Sequence, residues 1–303
     1  MSATLAVAAG RLPPEAGASR GSLASRLLSD WQLVLPLGLF FLAFVFGPLA
    51  LLGYVSLHTN VSLEEVTLAQ YTKFLFDDFN LGVLGATLWL GLKVTLLTLL
   101  IGYPLAYLYS VARPFWQKLL ILLIVLPLLT SAVVRTFAWL VILGRQGIVN
   151  ETLLALGLLE MPAKLLYTPT AVVVALAQIE LPLMVLPIIT VLASIDPNLR
   201  QASQSLGAGS WRTFFQVILP LSAPGVLAGC LLVYASSVSA FVTQTLVGGG
   251  RQMFMPFYIY QQAIQANNYP FAAAIAMILL FSVLSIVVLV NLLARRVRVL
   301  SHG

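Results

Sequence analysis

Side chains able to catalyse a reaction are scarce in this sequence. Residues 17–21 read GASRG and fit the G-x-S-x-G pattern of a serine nucleophile. That pattern works only between a strand and a helix of an α/β sheet, whereas this stretch lies in a polar tail. The two histidines, His58 and His302, are predicted on opposite sides of a membrane, so neither can join a serine in a catalytic triad. We therefore expect no catalytic residue in this chain.

Metal and nucleotide sites are predicted to be absent as well. Cys230 is the single cysteine, which excludes a cysteine zinc cluster and a disulfide framework. No lysine follows a glycine, so the chain has no phosphate-binding loop of the form G-x-x-x-x-G-K-[ST]. If ATP drives a process here, ATP and Mg²⁺ must be bound by another chain. The basic residues are scattered rather than clustered, which does not favour nucleic acid as a partner.

Three ionisable residues, Lys93, Arg135 and Glu180, fall within strongly apolar stretches. A charge near the centre of a bilayer costs at least about 2.5 kcal/mol unless it is paired or faces water. Lys93 is near enough to one end of its stretch for its long stem to reach the surface. Glu180 precedes Leu181 and Pro182, and the proline predicts a kink beside the acid.

Two explanations for Arg135 and Glu180 stay open at this level. They can form a structural ion pair, or they can line a cavity that a substrate enters. In the second case an acid favours a cationic or zwitterionic substrate, and the two charges together suit an amino-acid-like one. Tyr234, Phe241 and Gln244 are further candidates for the wall of such a path, and a core position explains them equally well.

The amino-acid composition predicts the secondary structure that must position these residues. Charged residues make up 9% of the 303 residues and hydrophobic residues 60%, which is typical of an integral membrane protein. Apolar runs long enough to cross a bilayer as helices predict an all-α protein with six transmembrane helices. The predicted spans are about 32–57, 86–110, 117–143, 169–193, 218–243 and 270–294. The predicted division is an N-terminal tail 1–30, a transmembrane domain 31–295 and a C-terminal tail 296–303.

The distribution of Lys and Arg predicts the orientation in the membrane. Most of the sixteen lie on one side of the spans, while most of the acidic residues lie in loops on the other side. The positive-inside rule makes the basic side the cytoplasm. Both tails, and the loop between the fourth and fifth spans, are therefore predicted to be cytoplasmic.

That loop, at about 194–217, is polar in an otherwise apolar chain. Asp196 before Pro197 predicts a helix start, with the acid as the cap and the proline in the first turn. Gly207 and Gly209 then end the helix, with Gly207 in a left-handed or similarly glycine-tolerant conformation. Ser210 is predicted to cap a second short helix that enters the membrane. A solvated hinge loop and a docking knob for another protein both fit this pattern.

The stretch 201–220, QASQSLGAGSWRTFFQVILP, resembles the EAA loop of ABC importer permeases. Gln201, Ala202 and Ser203 stand where Glu-Ala-Ala is usual, Gly207 matches the glycine, and residues 218–220 match the apolar ending. Further stretches are similar to the first permease subunit of spermidine/putrescine-type importers, namely YPLAYLYS, RTFAWLVILGRQGIVN, LPLMVLPIITVLASID, LPLSAPGVLAG and FVTQTLVGGG. They occur in the same order as in that family.

The resemblance implies the fold of a type I ABC importer permease in the bacterial inner membrane. The partners it implies are a cytoplasmic ATPase dimer, a second homologous permease subunit and an extracytoplasmic solute-binding protein, besides membrane lipid. It further implies that the cytoplasmic loop is a coupling helix held by the ATPase. The residues implied in that contact are Gln201, Ala202, Ser203, Gly207 and Arg212. The implied substrate is a small polar solute, polyamine-like or amino-acid-like.

Other functions remain to be weighed against this one. An acid is expected before Phe241 in the family pattern, and this chain has Ala240 there, which argues against a polyamine. A self-sufficient secondary transporter or channel would use Glu180 as an ion or proton site. Inverted repeats would support that function, and none is evident in the sequence. A structural membrane scaffold without transport predicts no cavity at all.

Overall fold

The computed structural model describes the backbone of residues 21–59, 65–250 and 252–300, and most of it is helical. Within these ranges the one β contact is an isolated bridge between His58 and Val66. The prediction of an all-α protein is confirmed. Residues 1–20 of the predicted N-terminal tail, most of the GASRG motif, and His302 lie outside the described residues.

Helices follow one another along the described chain with short connections. They are α1 (Gly21–Ser56), α2 (Ala69–Leu75), α3 (Asp78–Val111), α4 (Pro114–Val125), α5 (Ala132–Ile142), α6 (Ile148–Ala155), α7 (Pro169–Ser194), α8 (Pro197–Ser205), α9 (Ser210–Thr213), α10 (Leu219–Ser239), α11 (Phe241–Gly248), α12 (Met255–Tyr260) and α13 (Tyr269–Leu300). A 3₁₀ turn, Leu126–Leu129, extends α4. Five-residue π-helical turns, Phe214–Ile218 and Gln261–Gln265, follow α9 and α12.

In the described part of the chain, five helical stretches are long and apolar enough to cross a membrane. These are Leu35–Ser56, Asp78–Val111, Pro169–Ser194, Ser210–Ser239 and Tyr269–Ala294. A sixth crossing exists only if α4 with its 3₁₀ turn and α5 count as one span, and these two limbs meet at an angle of 100°. The six predicted spans therefore correspond to five helical stretches and one bent pair.

The third predicted span, 117–143, is wrong as a single straight helix. The 3₁₀ turn contains Pro127, and Thr130 after it is extended, with φ −101° and ψ 146°. Ser131 then caps α5, because its hydroxyl accepts a hydrogen bond from the Val133 N–H at 3.3 Å. A proline with no N–H to donate and a serine that satisfies a free donor of the next helix together favour a break at this point.

The fifth predicted span, 218–243, ends earlier than the sequence predicts. Helix α10 stops at Ser239 because Ala240 adopts φ −72° and ψ 73°, outside the helical region. Phe241 then begins α11, which is a separate helix. Phe241 therefore lies outside the helix of the fifth span, in which the sequence predicts it.

Helices α3, α7 and α10 pack against one another at the centre of residues 52–303, the larger of two compact units. Small residues allow the close approach of α10 to α7. A Cβ built on Gly225 would lie 2.8 Å from the Pro187 carbonyl oxygen, and one on Gly229 would lie 2.9 Å from the Met184 carbonyl oxygen. The two glycines form a G-x-x-x-G pattern, a spacing that permits close helix packing in membranes.

Candidate functional site

The polar loop between α7 and α10 folds into two short helices joined by a tight turn. Asp196 begins α8 as predicted, because its carboxylate accepts a hydrogen bond from the Asn198 N–H at 2.9 Å and Pro197 is the first helical residue. Proline has no N–H to leave unpaired in the first turn, and the acid satisfies a donor that would otherwise be free. The predicted helix start is thus confirmed.

Gly207 ends α8 in the left-handed conformation that the sequence predicts. Its φ is +85°. Its N–H donates to the Gln204 carbonyl at 3.0 Å, and the Ala208 N–H donates to the Ser203 carbonyl at 3.1 Å. This pair of bonds is the Schellman motif, which satisfies the last carbonyls of a helix. A Cβ on Gly207 would have no neighbour within 4 Å, so the backbone angle, and not crowding inside this chain, requires glycine.

The second short helix differs from the prediction by one residue. Helix α9 starts at Ser210, but Gly209 occupies the capping position and no side chain bonds the first N–H groups. The predicted cap at Ser210 is therefore wrong. Helix α9 widens into a π-helical turn, in which the Leu219 N–H donates to the Phe214 carbonyl. Pro220 follows and has no N–H, and the wider turn leads the chain into α10 without a break.

Four of the five residues implied in the ATPase contact are exposed, namely Gln201, Ala202, Gly207 and Arg212. The fifth, Ser203, is half-buried, and its hydroxyl oxygen lies 3.0 Å from that of Thr213. That bond ties α8 to α9, so Ser203 holds the two helices together instead of facing outward. The helix pair therefore presents a defined shape to the outside.

Glu180 is buried in the middle of α7, with 5% of its surface exposed. One carboxylate oxygen, Oε1, accepts a hydrogen bond from the Ser236 hydroxyl of α10 at 2.9 Å. An ionised carboxylate can accept about four hydrogen bonds. Glu180 therefore keeps the capacity to accept from a further donor.

Arg135 of α5 lies beside the same stretch of α7 but does not pair with the acid. Its Nη1 donates to the main-chain carbonyl of Ile179 at 3.1 Å, and its Nε is buried without a hydrogen-bond partner. The ion pair between Arg135 and Glu180 is not formed, since each side chain bonds another group. The second explanation, a polar wall that a substrate contacts, stays a prediction.

Sequence reasoning missed three polar residues of α5, α7 and α10. Ser236 bonds Glu180 directly, and Trp139 donates its indole N–H to the Gln178 side-chain oxygen at 3.1 Å. Gln178 is exposed on the surface of α7, where lipid offers an amide no hydrogen bond. The sequence signal for this contact is Gln178 itself, an uncharged polar residue inside a predicted span, two residues before Glu180.

Tyr234, Phe241 and Gln244, the other candidates for a substrate path, have separate surroundings. Tyr234 is 7% exposed and packs on α3, where a Cβ added to Gly91 would lie 3.1 Å from the Tyr234 ring. The half-buried Phe241 ring has its centroid 5.4 Å from that of Tyr260. Tyr234 thus has a packing role at a helix contact.

Gln244 is buried and stabilises the break between α10 and α11. Its side-chain nitrogen donates to the main-chain carbonyls of Ser237 at 2.7 Å and Val238 at 3.3 Å. These carbonyls lie at the end of α10, where the helix leaves its last acceptors without intrahelical partners. The surroundings of Gln244 therefore give it a structural role.

One known family has a sequence pattern that matches residues 95–299, and it is described as "Binding-protein-dependent transport system inner membrane component". The spermidine/putrescine transport system permease protein PotB of Haemophilus influenzae is 35% identical over 218 residues, which are 72% of this chain and 76% of that protein. The inner membrane ABC transporter permease protein YdcU of Escherichia coli is 28% identical over 270 residues, 80% of this chain and 85% of that protein.

A solved structure has a similar fold. It is a chain from a bacterial ABC transporter involved in the import of the acidic polysaccharide alginate, and it matches with a TM-score of 0.71 over 91% of this chain and 99% of that chain. The two sequences are 20% identical, so this likeness bears on the fold alone. The resemblance of the loop 201–220 to importer permeases is confirmed by the family match. This chain therefore belongs to the family of binding-protein-dependent transport system inner membrane components, the multi-pass permease subunits of ABC importers.

Proposed function

We propose that this chain couples ATP hydrolysis on a cytoplasmic ATPase dimer to the import of a small polar solute. The observation that carries the proposal is the helix pair α8 and α9, residues 197–213, called the coupling segment from here on. Most of its residues are exposed, its turn is closed by a Schellman motif, and it continues into the span Ser210–Ser239. An element of fixed shape that joins α7 to α10 transmits a displacement to two helices of the core.

The physics of coupling requires two states. The ATPase must contact the coupling segment differently before and after it closes on ATP, because only a differential contact can shift the equilibrium between two packings of the spans. Outward-open and inward-open arrangements of packed helices are two such discrete states. ATP and Mg²⁺ are held by the ATPase in this proposal, and the solute is delivered by an extracytoplasmic binding protein.

Both termini are proposed to lie in the cytoplasm. The coupling segment contains Arg200 and Arg212, and the connection between α3 and α4 on the same side of the spans contains Arg113. The positive-inside rule places this basic side in the cytoplasm. The ATPase, which meets ATP there, can then reach the coupling segment directly.

Reconstitution tests the coupling proposal. The chain is placed in proteoliposomes with ATPase and permease subunits from the same genome, and with a solute-binding protein outside. Uptake of labelled solute is expected only when ATP is supplied on the ATPase side, since hydrolysis there drives the cycle. Uptake by this chain alone under a proton or sodium gradient would contradict the proposal and support the secondary transporter, which the family assignment does not favour.

Assembly with a second, unlike permease is a further part of the proposal. Gln178 of α7 is exposed on a helix that crosses the membrane. Its side-chain oxygen accepts from Trp139, but lipid cannot satisfy its amide donors. A second subunit on this face would cover them. A second copy of this chain would add another Glu180, and two like charges that share a site of low dielectric constant are unfavourable. An unlike subunit avoids that repulsion.

The expected result is that this chain forms a heterodimer. Two copies with different tags are expressed together with the ATPase and a second permease, and complexes are isolated by one tag. The other tag is expected to be missing from every transport-competent complex, because each complex holds one copy. Recovery of both tags in an active complex without any other permease would show that the homodimer is the working form.

The proposed substrate carries a positive charge and is polyamine-like or amino-acid-like. Glu180 has one hydrogen-bond donor, Ser236, and an ammonium group would add both donors and the opposite charge. Relatives of this chain that are named for spermidine and putrescine support a cationic solute. Arg135 donates to the carbonyl of Ile179, the residue before Glu180, and its Nε has no partner, which supports a zwitterion.

Glu180→Gln is expected to lower kcat/KM for uptake of a cationic solute by about 10- to 100-fold. This is the effect of losing one charge-assisted hydrogen bond between the solute and the carboxylate. The folded yield is expected to stay the same, because glutamine has the same shape and its carbonyl can accept the Ser236 hydrogen bond. The measurement is uptake of labelled spermidine and of labelled basic and neutral amino acids.

Ser236→Ala is the matched control for Glu180→Gln. It removes the hydrogen bond from Ser236, which Glu180→Gln retains, and it keeps the negative charge that Glu180→Gln removes. Uptake of a cation is therefore expected to fall less than in Glu180→Gln. If Glu180→Gln reduces the folded yield and the transport rate per folded molecule stays unchanged, the acid has a structural role and the proposed contact with substrate is wrong.

A further inference from the structure

A cleft of about 590 Å³ lies between the coupling segment and the ends of the neighbouring spans. Its walls come from the end of α3, the start of α4, the end of α7, helix α8 and the π-helical turn before α10. Ligand-binding clefts have volumes of this order. Gln201 of the coupling segment also lines the cleft, and the import mechanism proposed above assigns the cleft no ligand.

The cleft has an apolar wall and a polar mouth. Ile189 and Leu192 of α7, together with Ile218 of the π-helical turn, form the apolar wall. All three are buried, and they belong to spanning stretches. Gln117 and Arg200, both half-buried, are among the polar residues that line the rest of the cleft, called the mouth here. This division fits a ligand that has one apolar end and one polar end.

Arg200 is the charged group of the mouth that is free to bind. Its guanidinium carbon lies 6.0 Å from the centre of the Tyr107 ring, and it forms no hydrogen bond or ion pair within the described residues. Asp196, the acid of the cleft, lies one turn before Arg200, and the hydrogen bond that it accepts from the Asn198 N–H holds its carboxylate at the start of α8. Gln117 already donates to the main-chain carbonyl of Tyr109 at 3.2 Å.

The surroundings of the cleft are basic and aromatic. Arg113, Lys118 and Arg212 are exposed on the same side of the spans. Trp116 of α4 and Trp211 of α9 are also exposed, at 54% and 77%. Tryptophan at the ends of spans marks the level of the lipid headgroups, and basic residues on the cytoplasmic side attract anionic lipids.

We propose that the cleft binds one anionic phospholipid of the cytoplasmic leaflet, with its phosphate on Arg200 and the start of an acyl chain on the apolar wall. A guanidinium with five free donors suits a phosphate group. A soluble anion has no apolar part to bury against the apolar wall. The lipid would bridge α8 to the ends of α3 and α4, so the leaflet's composition would bear on the position of the coupling segment. The leaflet assigned here rests on the proposed orientation.

Native mass spectrometry of the full chain, purified in a neutral detergent, tests the proposal. The chain is offered phosphatidylglycerol and phosphatidylcholine with the same acyl chains. One bound phosphatidylglycerol is expected, retained at least about fivefold over phosphatidylcholine, the ratio that one basic residue beside an anionic headgroup supplies. Arg200→Gln is expected to remove this preference, and Arg200→Lys, which keeps the charge, is expected to retain most of it.

Arg113→Gln is the matched control, since it removes an exposed positive charge from the same side of the spans. The preference is expected to persist in this variant. Equal retention of both lipids by the unaltered chain, or an unchanged preference in folded Arg200→Gln, would overturn the proposal. Displacement of the lipid by millimolar glycerol 3-phosphate would also overturn it, because the site would then select a soluble anion. These readouts are independent of transport, so they stand apart from the test of coupling.

Discussion

Gly207→Pro and Gly207→Leu are expected to abolish ATP-driven uptake while the spans stay folded and inserted. Gly207 has φ +85°, a region that costs a residue with a Cβ roughly 1–2 kcal/mol and that proline cannot enter. Proline also removes the N–H that bonds Gln204. The turn then opens, the coupling segment loses its shape, and the ATPase loses its contact. The measurements are solute uptake and recovery of the ATPase with the purified chain.

The chain offers a matched control for this experiment. Gly157 follows α6 with φ +67°, and an added Cβ there would also meet nothing within 4 Å. Its N–H donates to Leu154, and the Leu158 N–H donates to Leu153, which is the same Schellman pattern. Gly157→Leu is expected to disturb its own turn equally and to leave ATPase recovery intact.

A second comparison separates the backbone requirement from the side chain. Asparagine tolerates the left-handed region better than other residues with a Cβ, so Gly207→Asn is expected to keep much of the uptake. Normal ATPase recovery and uptake in both Gly207→Pro and Gly207→Leu would mean that the coupling segment does not carry the contact, and the proposal of coupling through it would be wrong.

Gly225→Val is expected to prevent the packing of α10 on α7 and to remove most of the folded protein. Its Cβ would lie 2.8 Å from the Pro187 carbonyl oxygen and 3.0 Å from the Ile188 Cα, both backbone atoms that cannot move aside as a side chain can. Overpacking of a core typically costs about 1–3 kcal/mol, and contact with backbone places this case at the upper end or beyond. The measurements are monodisperse yield and the midpoint of thermal unfolding in detergent.

Gly85→Val is the control for the packing experiment. Gly85 also lies inside a spanning helix, α3, but it is exposed and an added Cβ would meet nothing within 4 Å. The helix propensity of the chain changes equally in both variants, so only the contact differs. A similar loss of yield in Gly85→Val and Gly225→Val would attribute the effect to the loss of glycine itself and would contradict the packing argument.

Local chemistry explains why the coupling segment could be predicted from sequence. Asp196 and Pro197 specify a helix start whatever surrounds them, and Gly207 specifies a left-handed end. Both the helix start and the helix end can be predicted without knowledge of a residue distant in the chain. The error at Ser210 was of the same local kind, because Gly209 also fills a capping position and either residue satisfies the pattern.

Tertiary contacts explain what could not be predicted. The bend in the apolar run 117–143 is an exception, because its hydrophobicity gives only the length of one span while Pro127 and Ser131 within it are local signals for a break. The partner of Glu180 is Ser236, which is 56 residues away in the chain, and the partner of Arg135 is a main-chain carbonyl. Charge alone led to the expectation that the acid and the base would pair.

The bend between α4 and α5 has a consequence for biogenesis. The limbs Pro114–Leu129 and Ala132–Ile142 are about 24 Å and about 17 Å long as helices, and each is shorter than the roughly 30 Å of a hydrocarbon core. The translocon meets a run long enough to insert, but the finished chain holds a bent segment whose non-helical backbone at Thr130 must be shielded from hydrocarbon. A subunit made in excess of its partners would keep that defect exposed. We expect the cellular level of this chain to follow the supply of its proposed partners, because a surplus with this break exposed is a substrate for membrane proteases.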